Sequence, residues 1–134
     1  MKIRKLTKSD YKTLEKWWKA YGWKTPPAKE TLPDNATGGL MVVNEGKEVA
    51  ACFIYFTNSK TAWIAWPISD PNYRKDDRGK AMEVLLQAAE LTCMQQGIKC
   101  MLALGKSRSV VDRHKKLNWF VDEDETGFEM IKLI

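Results

Sequence analysis

The stretch "PNYRKDDRGKAMEVLLQAAE", residues 71–90, joins a charged, irregular segment directly to an apolar-periodic one. In its second half apolar residues recur three and four apart, which is the spacing of a helix with one buried face. The pattern predicts a helix from Arg78 to about Gln96, ended by Gly97. The predicted buried stripe consists of Met82, Leu85, Leu86, Ala89 and Cys93. Because a strand-like run lies on each side of this helix, the stretch decides how the sheet is connected.

The start of this helix is a predicted anion-binding site. The first N–H groups of a helix have no intrahelical partner, and the helix dipole adds roughly half a positive charge there. The side chains of Arg74, Arg78 and Lys80 supply further charge suited to a pyrophosphate. From the residues alone, a solvated helix start with Asp77 paired to Arg78 or Lys80 is the alternative. The backbone N–H groups concerned are those of Gly79, Lys80, Ala81, Met82 and Glu83.

Before this stretch the sequence predicts one strand, one helix and an antiparallel meander. A strand of Met1 to Leu6 is followed by a helix that is capped by Thr7 or Ser9 and ended by Gly22. A segment rich in proline and glycine comes next, and it is too long for a simple connection. Three strands then lie between Leu40 and Ser69, joined by two predicted hairpin turns.

After the central helix the sequence predicts a short buried strand, another helix and a closing hairpin. The strands on either side of the central helix are expected to be parallel neighbours joined by a right-handed crossover. The predicted fold class is therefore α/β (α+β), in three layers, with a mixed central sheet of about six to seven strands and helices on both faces. No linker or repeat divides the chain, which predicts a single domain over residues 1–134.

Composition narrows the classes of function. The chain has 134 residues and a net charge of +5, which favours an anionic ligand. Its basic residues are interspersed with Asp and Glu, which argues against nucleic acid as the partner. Its apolar runs are too short to cross a membrane, and its first residues lack the pattern of a signal peptide. Three cysteines without C-x-x-C spacing and a single histidine predict a reduced, cytoplasmic protein without a metal site.

The order of elements and two local patterns resemble the GNAT superfamily, the acyl-CoA-dependent N-acetyltransferases, over nearly the whole chain. In that family the fourth strand leads into V-x-P-x-Y-R-G-K-G-x-G-x-x-L-L, which is similar to "ISDPNYRKDDRGKAMEVLL" at residues 68–86. Many members later carry N-x-x-A-x-x-x-Y-x-K-x-G-F, which is similar to "SRSVVDRHKKLNWF" at residues 107–120. In the second pattern Ser107 takes the place of the Asn, His114 that of the Tyr and Asn118 that of the Gly.

The resemblance implies a transferase that moves an acetyl group from acetyl-CoA to a primary amine of a small molecule or a protein, as a monomer or homodimer. Backbone groups at the end of the fourth strand would meet the thioester and the pantetheine. Ile68 and Ser69 are the expected donors, because the preceding proline has no N–H. Ser107 belongs to the implied cofactor-binding set, and His114 is the implied general acid. Glu83, at one of the family's small positions, is expected close to the phosphates.

Other interpretations stand beside this one. If the altered pyrophosphate loop no longer holds coenzyme A, the protein would be an inactive binding or structural module of the same fold. The net charge leaves a small nucleic-acid-binding domain as a third interpretation. If His114 is not catalytic, the sequence places it on the surface among cationic neighbours.

The aromatic residues allow two interpretations. Those of the first helix and the segment after it either line an acceptor pocket or pack the helix onto the sheet. Trp63 and Trp66 are three residues apart, so on a regular strand they are expected to face opposite sides. The aromatic residues of the first group are Trp17, Trp18, Tyr21 and Trp23.

Overall fold

The computed structural model describes residues 1–73, 75–105, 108–123 and 128–134. Within them lie seven strands, three α-helices and a short 3-10 helix at Lys29–Thr31. The strands are β1 (Lys2–Lys5), β2 (Gly39–Asn44), β3 (Lys47–Phe56), β4 (Thr61–Ser69), β5 (Cys100–Gly105), β6 (Phe120–Glu123) and β7 (Phe128–Leu133). The helices are α1 (Asp10–Ala20), α2 (Lys75–Gln95) and α3 (Arg108–Lys116). The predicted order of elements is confirmed.

The seven strands form one mixed sheet in the order β1-β2-β3-β4-β5-β7-β6. β4 and β5 are parallel, and the other neighbouring pairs are antiparallel. The predicted parallel pair on either side of α2 is therefore confirmed, as expected for strands joined by a helical crossover. In the closing hairpin β7 pairs with β5, so β6 forms one edge of the sheet.

Apolar side chains on the two faces of the sheet form two separate cores. The first lies between the sheet and the helices α2 and α3, and it contains the whole predicted stripe of α2. The second lies between the sheet and α1, where Leu14, Trp17 and Trp18 pack with Met41 and Phe53. Strand β3 supplies both cores, as its uninterrupted apolar run predicts. The resulting three layers are helix, sheet and helix.

The start of α1 is held by Asp10 and not by the predicted capping residues. Ser9 occupies the N-cap position, but its side chain makes no capping hydrogen bond. The buried Asp10 carboxylate instead accepts hydrogen bonds from the Thr7 N–H at 2.7 Å and from both terminal nitrogens of Arg4, at 2.7 and 2.9 Å. Burial raises the pKa of Asp10, but these hydrogen bonds outweigh burial and leave the pKa below its usual value. The carboxylate thus ties α1 to β1.

Left-handed backbone conformations follow the three helices at the expected places. Gly22 after α1 and Gly97 after α2 have φ angles of 92° and 77°. Asn118 after α3 has a φ of 68°, at the position where the family pattern carries glycine. Asn is the residue other than glycine that most readily adopts this conformation, so it can end the helix in the same way.

Candidate functional site

Strands β4 and β5 separate part-way along their length. They pair at three positions, Thr61 with Cys100, Ala62 with Met101 and Trp63 with Leu102. Beyond these positions β4 continues beside β3 as far as Ser69, while β5 continues beside β7 as far as Gly105. A cleft therefore opens between the carboxyl ends of β4 and β5, which is the end of an α/β sheet where ligands bind.

A β-bulge lies in β4 beside this cleft. On β3, Cys52 alone stands opposite two residues of β4, Trp66 and Pro67. Trp66 has a φ of 56°, which only a local distortion of the strand produces. Because the bulge interrupts the alternation of side chains, Trp63 and Trp66 line the same groove. The expectation that they face opposite sides of the strand was therefore wrong.

The backbone of Ser69 faces the cleft. Asp70 donates its N–H to the Val49 carbonyl of the neighbouring strand at 2.7 Å. Successive N–H groups of a strand point to alternate edges, so the Ile68 N–H is directed at β3 and that of Ser69 at the cleft. Of the two predicted donors, the geometry therefore favours Ser69. Ile68 places its buried side chain in the core beneath α1.

Helix α2 begins at Lys75, so the predicted start at Arg78 was wrong. Residues 75–77 form the first turn of the helix, where the carboxylates of Asp76 and Asp77 are stabilised by the positive end of the helix dipole. In the described part of the helix, the N–H groups that lack an intrahelical acceptor are consequently those of residues 75–77. Those of residues 78–83 are expected to bond within the helix.

The predicted binding residues of α2 therefore divide by position. Gly79 is half-exposed and Lys80 is exposed, so both are accessible from the start of the helix. Ala81 and Met82 are buried in the core between α2 and the sheet. A role for Ala81 or Met82 in holding a cofactor through a free N–H does not follow from this geometry, because their amides lie inside the helix.

The first turns of α2 also meet α1 and β4. Arg78 Nη1 lies 3.4 Å from the hydroxyl of Tyr21, and that hydroxyl lies 3.3 Å from Oγ of Ser69. The residue that ends α1 thus connects the end of β4 to the second predicted arginine. Tyr21 was considered for the acceptor side, and its contact with both Ser69 and Arg78 could not be read from the spacing of residues distant in sequence.

Arg113 of α3 lies on the other side of α2. A Cβ atom placed on Gly79 would lie 3.8 Å from Arg113 Nη2, so the guanidinium lies against the backbone of α2. Burial lowers the pKa of Arg113, and the nearby carboxylate of Glu83 opposes that change. Sequence reasoning missed Arg113, because a run of cationic residues on a helix does not show which one faces inward.

Glu83 lies away from the start of α2. Eight residues separate it from Lys75, which corresponds to about 12 Å along a helix. Its carboxylate accepts a hydrogen bond from Nζ of Lys116 on α3 at 2.8 Å. The expectation that Glu83 lies beside the phosphates stays a prediction, and the carboxylates of the first turn are those of Asp76 and Asp77.

His114 is buried in the core between α3 and the sheet, with 3% of its surface exposed. Its Nδ1 donates to the carbonyl of Val110 at 2.7 Å, and its ring packs edge-on against Trp119 with the centroids 5.0 Å apart. Burial lowers the pKa of His114, and the charge of Arg113 lowers it further. The alternative of a surface residue is wrong. The catalytic role stays a prediction, and these contacts are those of a packing residue.

The buried cysteines are thiols at neutral pH. Burial raises the pKa of Cys52 to about 12 and that of Cys93 to about 11. A nucleophilic cysteine requires the thiolate, so these two residues are unsuited to that role. Both lie in the core beneath α2, as their apolar surroundings in the sequence predict.

The aromatic residues of the α1 side fall into two groups. Trp17 and Trp18 are core residues, whereas Tyr21 and Trp23 are exposed. The Trp23 ring packs edge-on against Trp66, with the centroids 5.8 Å apart. A shallow, largely apolar groove of about 440 Å³ continues from there along β4. It is lined by Tyr55, Phe56, Thr57, Trp63, Ala65 and Trp66.

Two predicted cofactor-binding residues, Arg74 and Ser107, lie outside the described residues. In the described part of the chain, no three His, Cys, Asp or Glu side chains come together as a metal site would require. The helices of that part are also too short or too polar to span a bilayer.

Solved structures share this arrangement over almost the whole chain. The PaiA N-acetyltransferase from Thermoplasma acidophilum, in complex with coenzyme A, superposes with a TM-score of 0.70 and 17% identity over 99% of this chain and 98% of that chain. The ribosomal-protein-S18-alanine N-acetyltransferase from Escherichia coli superposes with a TM-score of 0.74 and 13% identity, over 97% and 90% of the two chains. The chain has the GNAT fold.

A third GNAT-fold neighbour is larger than this protein. N-acetylglutamate synthase from Neisseria gonorrhoeae, complexed with coenzyme A and N-acetyl-glutamate, superposes with a TM-score of 0.76 and 12% identity. The superposition covers 98% of this chain but 34% of that one, so the likeness concerns one part of the synthase. The sequence itself matches no protein-family model and no curated protein.

Proposed function

We propose that the protein is an N-acetyltransferase that moves the acetyl group of acetyl-CoA to a primary amine. The observation that carries the proposal is the cleft between β4 and β5, which opens beside the first turns of α2. Two of the three structural neighbours described above were solved with coenzyme A, which supports the same ligand class here. We propose Ser69, Arg78 and Arg113 as the residues of this chain that bind acetyl-CoA.

The residues at the cleft fit the parts of acetyl-CoA. The free N–H groups of residues 75–77 and the guanidinium groups of Arg78 and Arg113 suit the diphosphate. The unpaired edge of β4 beyond Trp63 suits the amides of the pantetheine, which can pair with a strand as a peptide does. Asp76 and Asp77 in the same turn oppose an anion, so we expect weaker binding than a neutral first turn would give.

The proposed reaction needs positioning more than covalent catalysis. The deprotonated amine attacks the thioester carbonyl carbon, the C–N bond forms, and the C–S bond breaks as the thiolate leaves. The Ser69 N–H polarises the carbonyl, since it is directed at the cleft. The hydroxyl of Tyr21, beside Oγ of Ser69, is placed to protonate the leaving sulfur, and the proton released by the amine goes to solvent.

The acceptor would approach from the face of the sheet that carries α1. The aromatic groove along β4 begins at Trp66, next to the bulge, and extends away from the cleft. Its apolar walls suit the carbon skeleton of an amine, whether a small molecule or an amino group of a protein. We place the protein in the cytoplasm, because Cys52, Cys93 and Cys100 are free thiols. The proposal treats residues 1–134 as a single domain.

Calorimetry with acetyl-CoA tests the proposal. We expect saturable binding, and we expect Arg113→Ala to weaken it by roughly tenfold, since a hydrogen bond to a charged group contributes about 1.5 kcal/mol or more. Lys12→Ala is the matched control: it removes one positive charge from an exposed residue at the far end of α1 and should leave the affinity unchanged.

Absence of binding at millimolar acetyl-CoA would remove the enzyme proposal and favour an inactive module of the same fold. A panel of amines, with release of free thiol as the readout, then tests for acetylation. If acetyl-CoA binds but no amine of the panel is acetylated, a binding module is also favoured. Equal losses of affinity in Arg113→Ala and Lys12→Ala would show that general charge, and not the cleft, attracts the ligand.

A further inference from the structure

The excess positive charge of the molecule is concentrated around α1. Acidic and basic residues are mixed along most of the sequence, yet residues 1–24 hold eight of the 22 basic residues and two of the 17 acidic ones. These residues therefore have a net charge of +6, and the remaining 110 residues together have a net charge of −1. The side of the molecule formed by β1 and α1 is consequently the one that attracts anions.

Four exposed lysines form a row on the outer side of α1. Lys8 precedes the helix, and Lys12, Lys16 and Lys19 lie within it. Since an α-helix turns by about 100° per residue, the three helical lysines fall within an arc of roughly 60°, on the side opposite the residues that face the core. We call this row of four residues the lysine face, and it extends about 16 Å along the helix axis.

The lysine face does not stabilise α1. In the part of the chain that the structure describes, none of its four lysines forms an ion pair, and the Asp10 carboxylate is bound by Arg4. Lys12 and Lys16 are four residues apart, where like charges on a helix repel each other. Lys12 also lies in the first turn, where the helix dipole disfavours a positive charge. A negatively charged partner would offset both effects.

The lysine face leads to the cleft. Tyr21 follows Lys19 by two residues, and its hydroxyl lies 3.3 Å from Oγ of Ser69 at the end of β4. We propose that the acceptor amine belongs to a polypeptide, and that acidic residues next to the amine bind the lysine face. This substrate class rests on the N-acetyltransferase function proposed above. An extended chain advances by about 3.3 Å per residue, so about five residues of the acceptor span the lysine face.

An acidic polypeptide fits the lysine face better than other polyanions do. A helix that lies on a membrane inserts an apolar face, but α1 buries Leu14, Trp17 and Trp18 against the sheet. Single-stranded nucleic acid stacks its bases on aromatic side chains, and arginine is the preferred residue for contacts with phosphates. Helix α1 contains no arginine and no exposed aromatic residue. Carboxylates, in contrast, match the single charges that lysines present.

Fluorescence anisotropy with two labelled peptides tests the acidic acceptor. Each peptide has a free N-terminal alanine and a dye at its carboxyl end, with five glutamates between them in one peptide and five glutamines in the other. We expect the glutamate peptide to bind about tenfold more tightly at low salt, which is the size expected of several exposed ion pairs. The difference should shrink as salt is added, because salt screens exposed charges.

A triple variant of α1 assigns this preference to the lysine face. Lys12→Glu, Lys16→Glu and Lys19→Glu together should abolish the preference for the glutamate peptide. A second variant with Gln at the same three positions should also abolish it, and it adds no negative charge to the helix. The matched control carries three Lys→Glu substitutions at exposed positions outside residues 1–24, so it changes the net charge equally and should keep the preference. Its positions are Lys47, Lys60 and Lys99.

Several results would overturn the acidic acceptor. These are equal affinities of the two peptides for the wild-type chain, a preference that survives in both α1 variants, and a preference lost equally in the control. A single-stranded RNA that binds more tightly than the glutamate peptide, and no longer binds the α1 variants, would assign the lysine face to nucleic acid instead. Anisotropy requires no acetyl-CoA, so its outcome is separate from that of calorimetry. In acetylation assays we expect the glutamate peptide to have about a tenfold lower KM at a similar kcat.

Discussion

Tyr21 and His114 are the two candidates for the general acid, and their surroundings suit different roles. The Tyr21 side chain lies at the end of β4, with 47% of the residue exposed, and its hydroxyl contacts both Ser69 and Arg78. His114 is enclosed by Val110 and Trp119. A general acid must come within hydrogen-bonding distance of the leaving atom, which an exposed group can do and an enclosed ring cannot do without rearrangement.

We therefore expect Tyr21→Phe to lower kcat for amine acetylation about tenfold or more, and His114→Phe to change kcat less than twofold. Both substitutions keep an aromatic ring, so they are matched in size. Steady-state kinetics with release of free thiol as the readout distinguishes them. A large loss of kcat in His114→Phe, with Tyr21→Phe unchanged, would return the acid to the position that the family pattern implies.

Asp10 gives a test of how α1 is anchored. The sequence pattern assigns the capping role to Ser9 or Thr7, whereas the structure assigns the hydrogen bonds to the buried Asp10 carboxylate. We expect Asp10→Ala to lower the free energy of unfolding by about 2–3 kcal/mol, because it leaves the Thr7 N–H and the Arg4 guanidinium without their acceptor. Ser9→Ala should cost under about 0.5 kcal/mol.

Urea unfolding followed by circular dichroism measures both variants. Comparable losses for Ser9→Ala and Asp10→Ala would mean that the serine hydroxyl caps the helix after all. The difference could not be predicted from the sequence, because an Asp in the first turn is favourable whether it points to solvent or back to β1.

At the scale of elements, the first turn of α2 combines two opposed demands. Asp76 and Asp77 stabilise the start of the helix, yet they oppose a diphosphate at the same N–H groups. We expect Asp76→Asn to tighten acetyl-CoA binding several-fold and to lower the free energy of unfolding by about 0.3–1 kcal/mol. Calorimetry and thermal unfolding of the same variant measure the two effects.

Glu83→Gln is the control for the effect of Asp76→Asn on acetyl-CoA affinity. It removes the same charge from α2, but about 10 Å farther along the helix and out of an ion pair with Lys116. Acetyl-CoA affinity should change less than in Asp76→Asn. If Glu83→Gln tightened binding more than Asp76→Asn, the diphosphate would lie nearer to the second and third turns of α2 than to the first.

The same helix shows what the sequence could predict and where prediction ended. Five apolar residues at helical spacing predict both the existence of α2 and its buried face, and all five are buried. The start could not be predicted, because an Asp-Asp pair is equally typical of a loop and of a first helical turn. Which residues have free N–H groups depends on that start, so the set of amides that we propose for cofactor binding differs from the predicted one.

Strand β4 shows a second limit. Its existence and its parallel partner follow from the order of elements, and both predictions are confirmed. The bulge at Trp66 and Pro67 has no local signal beyond the proline, yet it reverses which face the following side chains take. An inference from strict alternation therefore failed for the tryptophans. The contacts of Tyr21 and Arg113 join elements that are distant in sequence. Such contacts depend on how the elements pack, so they could not be predicted from the sequence.

For the whole molecule, the titrating groups set the pH range of stability. The pKa of His114 lies below its ordinary value because of burial, so at acid pH the unfolded chain takes up a proton that the folded chain does not. Stability is then lost as the pH falls below about 6.5. Asp10 has a lowered pKa, so its contribution is lost only below about pH 4, as the folded carboxyl becomes protonated.

At alkaline pH the buried thiols act in the opposite direction. Cys52 and Cys93 have pKa values raised to about 12 and about 11, so the unfolded chain loses these protons first, near pH 9. Stability is therefore lost as the pH rises above about 9. Combined with the acid limit set by His114, the free energy of unfolding should show a plateau between about pH 6.5 and 9.

We expect an acid slope of at most about 1.4 kcal/mol per pH unit and a steeper alkaline slope, since one histidine titrates on the first side and two thiols on the second. Urea titrations at half-unit steps measure both slopes. His114→Gln should remove the slope that begins below about pH 6.5 and leave the alkaline one, whereas Cys93→Ala should reduce the alkaline slope and leave the acid one. An acid slope that survives in His114→Gln would show that the only histidine of the chain is not the group that limits stability there.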